Sequence, residues 1–491
     1  MTFQGGLLMF RAKTDRKSFF LGEGYPLLSF ALIIFGYFTG LELYTIVLNI
    51  LLVCIAILRT GSLKPFLFFV MSFMYQLNPE HMPLRPFRSD YYYTGHRVYL
   101  LVGAIIILIA SVIAFVFRYR IWEGVRWSKM PLLIPLVIFS VTMLTNGAIY
   151  DGKDLPDLFW GAAQVCVYLV LFVFLYLGLR KEKGNELAEY FSYLTVLNSW
   201  ILILEIADLY IFGNAVVDGV IIRDNVTLGF GICTIVGAHI AMHIPMNLYG
   251  FMKGRHPYIS IITAFVVYIA ALASTSRNAM LFGTVYFVMF LMIIIFSSGK
   301  KKNVLIALGV LAAFALVFII IFREQLILIV ELYLNRGMGD NGRYPLWRLS
   351  YDAFLTEPIF GKGFYSVDLY IPGWVVDDSF SIVPGSAHNT VLQLLAATGI
   401  IGLIGYSVYR IATFVVTFRR ASSERLLLML GASFIVVASL LDNYIFQLYG
   451  TLYYTIAVVI SSMLYSEEME IWNDNSLAVA HIKTLRFNAD K

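Results

Sequence analysis

Residues 98–117 read VYLLVGAIIILIASVIAFVF, twenty positions with no charge and no proline. A helix rises about 1.5 Å per residue, so about 20 apolar residues cover the roughly 30 Å hydrocarbon core of a bilayer. Arg118, Arg120, Arg126 and Lys129 follow at once. An apolar run closed by a basic cluster reads as a transmembrane helix whose basic end stays in the cytoplasm.

The same unit recurs along the chain. Further apolar stretches lie at 22–38, 43–58, 64–77, 130–149, 158–179, 190–212, 229–250, 257–274, 279–298, 303–322, 389–417, 426–441 and 448–464. With 98–117 these predict an all-α, polytopic transmembrane bundle of about fourteen spans. Composition agrees, because 59% of the 491 residues are hydrophobic and only 14% are charged. A soluble chain carries about 25% charged residues, and no soluble core could absorb this much apolar surface. Tyr91, Tyr92, Tyr93, Trp122, Trp127, Trp374 and Tyr453 cluster near span ends, where amphipathic rings suit the headgroup region.

Charge sets the orientation. Arg11, Lys13, Arg16 and Lys17 place the N-terminus in the cytoplasm, and strict alternation then puts the Arg59/Lys64, Arg180/Lys181/Lys183, Lys253/Arg255, Lys300/Lys301/Lys302 and Arg419/Arg420/Arg425 clusters on the same side. The opposite side receives acidic or mixed loops such as 151–157. A net charge of +5 spread over such clusters reports membrane topology and not a nucleic-acid face. Cys54, Cys166 and Cys233 all fall inside predicted spans, which excludes an exposed disulfide framework. The first apolar run lacks a small-residue cleavage site and is expected to be a retained span. The expected organisation is a cytoplasmic N-terminus over 1–21, eleven spans over 22–322, an extracytoplasmic loop over 323–388, three spans over 389–464 and a polar cytoplasmic tail over 465–491.

The loop is the one long connection, and a long connection in a compact protein is usually functional or disordered. Its Tyr333, Trp347, Phe354, Phe360, Tyr365 and Trp374 argue against disorder, which is poor in aromatic residues. Residues 326–334 suit an amphipathic helix, and Asn341-Gly342 followed by Pro345 reads as the start of a second.

Several residues on this outer side could carry chemistry. Arg277 stands in Ser274-Thr275-Ser276-Arg277-Asn278, a turn joining two spans where a cation works against the orientation bias. It is either a snorkelling side chain or an anion ligand whose guanidinium fork matches phosphate oxygens. Arg336, Arg343, Arg348 and Lys362 lie in the loop, each a solvated charge when taken alone, and together suited to an acidic or phosphorylated substrate. In a helix, Arg343 and Trp347 share a face four residues apart. His388, ahead of Asn389 and the run from Val391, occupies a helix N-terminus, where the dipole disfavours imidazolium and leaves a neutral ring able to accept a proton; a capping or interfacial role is the alternative. His239 and His243 share a helix face but lack a third ligand with metal-site spacing, which favours packing or a helix-to-helix hydrogen bond. Glu205 and Asp208 are intramembrane acids that could pair with Arg277 or Arg343. No Walker loop, dinucleotide fingerprint or Gly-x-Ser-x-Gly elbow occurs.

Arg343 through Trp347, then Glu357-Pro358-Ile359-Phe360-Gly361-Lys362-Gly363, then His388-Asn389-Thr390-Val391-Leu392-Gln393 and Gly399-Ile400-Ile401-Gly402 resemble the O-antigen ligase and polymerase family of bacterial envelope proteins. The resemblance covers roughly residues 270–410 specifically and does not separate ligases from polymerases. It implies a multi-pass protein of the bacterial cytoplasmic membrane that moves a glycan from a polyprenyl diphosphate carrier to a hydroxyl of an acceptor glycan or lipid, on the extracytoplasmic side. No cofactor and no metal are implied. Arg277 and Arg343, with Arg348 as second choice for the latter, would hold the diphosphate; His388 would activate the acceptor, with Trp347 and Asn389 in support. Other polysaccharide-assembly proteins are the expected protein partners, and nucleic acid is not one. The number of spans favours a polymerase over a ligase. The rival readings are a flippase for lipid-linked oligosaccharide, which would show two similar halves or matching broken helices, and a non-catalytic envelope assembly protein, in which the outer arginines would be an interaction surface.

Overall fold

The computed structural model describes residues 16–76, 95–144, 155–213, 215–228, 232–297, 301–335, 343–363, 387–419 and 421–489. Over these the chain is mostly α-helical, with one antiparallel ribbon of β1 (Val216–Val217) and β2 (Val220–Ile221). It divides into two compact units, Met1–Glu123 and Gly124–Lys491.

In the first unit α1 (Arg16–Leu21) and α2 (Gly24–Thr39) precede α3 (Glu42–Thr60), α4 (Lys64–Gln76) and α5 (His96–Tyr119). A buried polar clamp joins α2, α3 and α4: Ser29 donates to Asn49 Oδ1 at 2.7 Å, and Asn49 Nδ2 donates to Gln76 Oε1 at 3.0 Å. In lipid the hydrophobic effect does not hold helices together, so such bonds and close packing do. Helix α5 buries only Ala104, Ser111 and Phe115 and leaves the rest of the stretch 98–117 at least partly exposed, as a helix facing lipid would.

The second unit begins with α6 (Leu133–Leu144). Then α7 (Leu155–Val165) continues through a π turn, Cys166–Val170, into α8 (Leu171–Leu179). Helix α9 (Gly184–Ile211) is buried along most of its length and packs on α11 (His243–Lys253), α12 (Pro257–Ala273) and α19 (Leu448–Ala489). The stretch 229–250, read as one span, is divided at Met242 into α10 (Cys233–Ala241) and α11. Pro245 explains the break, because it has no N–H to return to the Ala241 carbonyl. Helices α13 (Arg277–Ser297), α14 (Lys301–Ile321), α15 (Arg323–Asn335), α16 (Arg343–Thr356), α17 (Thr390–Phe418) and α18 (Ser423–Ala438) complete the order.

Among the described residues, each apolar stretch read from the sequence overlaps a helix. By length and composition eight helical segments among the described residues can cross a membrane, and four more apolar helices are shorter. The stretch read as a polar tail is helical, continuing α19 beyond Leu464. Its Glu467 accepts from the Gly184 N–H at 2.9 Å, and its Glu468 pairs with the buried Arg425 at 2.7 Å.

Of the stretch 323–388, residues 323–335 form α15 and 343–356 form α16, so both short helices expected there are present. Residues 336–342 and 364–386, with Arg336, Asn341, Tyr365 and Trp374, lie outside the described residues. The turn after α16 docks on α17 through main-chain bonds: Lys362 N to Ala396 O and Gly363 N to Ala397 O at 2.9 Å each, and Ile400 N to Pro358 O at 2.9 Å. This latch needs glycine on both sides. Gly399 has φ 63° and breaks α17, and a Cβ there would strike the Ile359 carbonyl; Gly361 has φ 68° and lies against the Ala397–Thr398 backbone. The two glycine-containing motifs noted in the sequence are therefore one contact, and it fixes α16 beside the start of α17.

Candidate active site

The start of α17 is built from local chemistry. Asn389 is the N-cap, its side chain accepting from the Val391 and Leu392 N–H groups, and its Nδ2 donates to the Leu440 carbonyl at 3.0 Å. Thr390 donates twice to the Ser439 carbonyl, from N at 3.0 Å and from Oγ1 at 2.8 Å. These bonds clasp the connection between α18 and α19 against the helix end and bring Asp442 to His388.

His388 Nδ1 lies 2.9 Å from Asp442 Oδ1, and the Asn443 N–H donates to the same oxygen at 2.9 Å. Arg343 Nη2, from the first residue of α16, lies 3.9 Å from Asp442 Oδ2. Burial pushes the Asp442 carboxyl up, but the hydrogen bond from His388, the Asn443 amide and the Arg343 guanidinium outweigh it and hold the group below its ordinary value. An ionised carboxylate only accepts, so Nδ1 is the donor in this pair, and Nε2 is the outward nitrogen, which offers a lone pair whenever the ring is neutral. The His388 side chain is 37% exposed and that of Asp442 only 6%, so the ring is reachable while its partner is shielded.

Arg277 opens α13 beside the same connection. The turn before it is buried, with Thr275 at φ 59°, and Gly237 of α10 packs so closely that a Cβ would strike Ser274 and Ser276. Tyr333 of α15 donates to the Leu272 and Ser276 carbonyls at 3.1 and 3.3 Å. Asn278 Nδ2 donates to the Ala438 carbonyl at 3.3 Å and the Tyr444 hydroxyl at 3.1 Å. Arg277 therefore starts a helix tied to the residues flanking Asp442.

Residues 261–407 match the family model described as O-antigen ligase. The family resemblance read from the sequence is thereby shown, and the match runs from α12 into α17. The O-antigen ligase-like region carries Arg277, Arg343, Trp347, Arg348, His388 and Asn389, whereas Asp442 lies beyond its end. No curated protein matches the chain. With its run of apolar helices, the chain is a multi-pass membrane protein that carries an O-antigen ligase-like region over residues 261–407.

Of the residues singled out from sequence, His388, Asn389 and Arg343 meet at one place. Trp347 shares the Arg343 face of α16, and its buried Nε1 has no hydrogen-bond partner among the described residues. Arg348 is exposed and is not the arginine against Asp442. Arg343 pairs with Asp442, where Glu205 or Asp208 was one expectation. His239 and His243 are buried against Tyr449 and Tyr453, and His243 Nδ1 shares a hydrogen bond with Ser199 Oγ at 3.2 Å. Asp442 itself was not foreseen. Its one sequence signal is an acid in a short connection on the side that alternation assigns to His388.

Proposed function

We propose that this protein is a metal-independent membrane glycosyltransferase acting on the extracytoplasmic side of the bacterial cytoplasmic membrane, taking a glycan from a polyprenyl diphosphate carrier to an acceptor hydroxyl. Polymer growth is favoured over ligation by the number of apolar stretches. The observation that carries the reading is the His388–Asp442 pair at a helix end beside Arg343. The acceptor oxygen attacks the anomeric carbon, the bond from that carbon to the diphosphate oxygen breaks, and the hydroxyl proton passes to His388 Nε2. Asp442 faces the positive charge the ring then acquires, and Arg277 and Arg343 face the charge that develops on the departing polyprenyl diphosphate.

An apolar cavity of about 330 Å³ supports this substrate. It lies between α9, α12, α14 and α15, lined by Trp200, Ala273, Phe318 and Leu326 among others, and Ala273 immediately precedes the turn that carries Arg277. A prenyl chain lying there would bring its diphosphate to that arginine.

The test is transfer by the purified protein in nanodiscs, given a polyprenyl diphosphate glycan and acceptor in EDTA. Product formation is expected. Absence of product together with movement of a fluorescent lipid-linked glycan across the bilayer would favour the flippase reading instead. Sidedness is tested separately by labelling a lone cysteine at Asp340 with an impermeant maleimide, and protection of that cysteine in spheroplasts would overturn the assigned side.

A further inference from the structure

His388 has φ 45°, a left-handed conformation that residues with a Cβ adopt uncommonly. What surrounds it is a closed ring of hydrogen bonds. Gln393, one turn into α17 and buried, accepts from the Ala387 N–H at 2.7 Å and from Asn443 Nδ2 at 3.0 Å through the same Oε1. Asn443 donates its main-chain N–H to Asp442 Oδ1, and that oxygen meets His388 Nδ1. The chain from Ala387 to His388 closes the ring.

Each side of the ring has a separate task. The Gln393 amide reaches back past the N-cap and holds the residue before His388, which sets the backbone direction from which the imidazole leaves. Its second bond holds Asn443, whose amide aims one carboxylate oxygen at Nδ1. An apolar side chain of similar volume would fill the space and make neither bond. A side chain needed only to cap α17 would serve the helix N–H groups, and Asn389 already does that. We infer that Gln393 is a positioning residue for His388, acting through Ala387 on its backbone and through Asn443 on its carboxylate partner. The inference rests on the reading of His388 as the base.

The experiment measures steady-state transfer by purified protein in nanodiscs, with a polyprenyl diphosphate glycan as donor. Gln393→Met is expected to lower kcat at least tenfold while KM for the donor stays within twofold and the folded protein still accumulates in the membrane. Combined with Asp442→Asn, it should cost less than a further threefold, because both changes disturb one imidazole and their effects do not add. A merely structural residue would leave kcat of the folded protein near wild type, and any loss it caused would multiply that of Asp442→Asn. Should Gln393→Met not accumulate, Asn443→Ala replaces it in the same cycle, since it removes the side-chain bond to Gln393 and keeps the main-chain bond to Asp442. Wild-type kcat in a folded Gln393→Met or Asn443→Ala protein, or multiplicative loss in the cycle, overturns the inference. Full activity of His388→Ala instead overturns the reading beneath it, so the two failures are distinguishable.

Discussion

Two histidine sites in the second unit differ in almost every respect but residue type. His239 and His243 lie at the break between α10 and α11, 3% and 0% exposed, with ring centroids 4.6 Å from Tyr449 and 5.4 Å from Tyr453. His388 stands at a helix end, its ring partly exposed and its Nδ1 on a carboxylate. A buried imidazole between aromatic rings is packing and a hydrogen bond. An accessible imidazole whose inner nitrogen is held by an ionised acid can move a proton. What separates them is the direction from which a partner and a substrate can approach.

The largest expected effect breaks or upholds that contrast directly. His388→Ala should lose about 10²- to 10⁴-fold in kcat at matched protein levels, the range of a general base. His243→Gln should keep kcat within about threefold and lower stability by about 1–3 kcal/mol, the cost of disturbing a buried polar group. Transfer assays beside thermal unfolding in detergent distinguish them, and equal catalytic losses in both variants would remove the distinction. Next, Asp442→Asn keeps the shape but lets the amide donate to Nδ1 and favour the wrong tautomer, so a loss of about 10²-fold or more in kcat is expected.

The arginines sharpen the comparison between the site and the interface. Lysine keeps the charge and loses the planar fork, so Arg277→Lys and Arg343→Lys should each lose at least about tenfold, roughly 1.4 kcal/mol of transition-state stabilisation. Arg323→Lys, exposed at the start of α15, should transfer like wild type. Wild-type rates in all three would return the outer arginines to anchoring or partner binding. A similar pairing tests the latch: Gly399→Ala, at positive φ against the Ile359 carbonyl, should cost about 1–3 kcal/mol and unseat α16, whereas Gly103→Ala on α5 meets nothing within 4 Å and should be neutral.

The smallest effect is a pH dependence. Asp442 is held below its ordinary value of 3.8, so its contribution to stability is present above that pH and is lost as pH falls through the lower folded-state value. Unfolding midpoints of wild type and Asp442→Asn should therefore draw together below about pH 4. A difference that stays constant from pH 6 to 3 would mean that the carboxylate is not stabilised in the fold.

Apolar length, basic clusters and turn signals determined from the sequence alone that this is a helical membrane protein, because crossing a bilayer constrains composition residue by residue. The same local logic marked α15 and α16, the helix that begins just after His388, and Arg277 and Arg343 as groups out of place for mere orientation. It could not show that the Glu357–Gly363 turn lies on the Gly399 bend, since the bonds that join them are between main-chain groups and leave only glycine as a trace. Nor could it select Asp442 over Glu205 or Asp208 as the partner of Arg343. Which acid meets which cation depends on helices far apart in sequence ending at one place, and that was decided only when α17, α16 and the connection after α18 packed together.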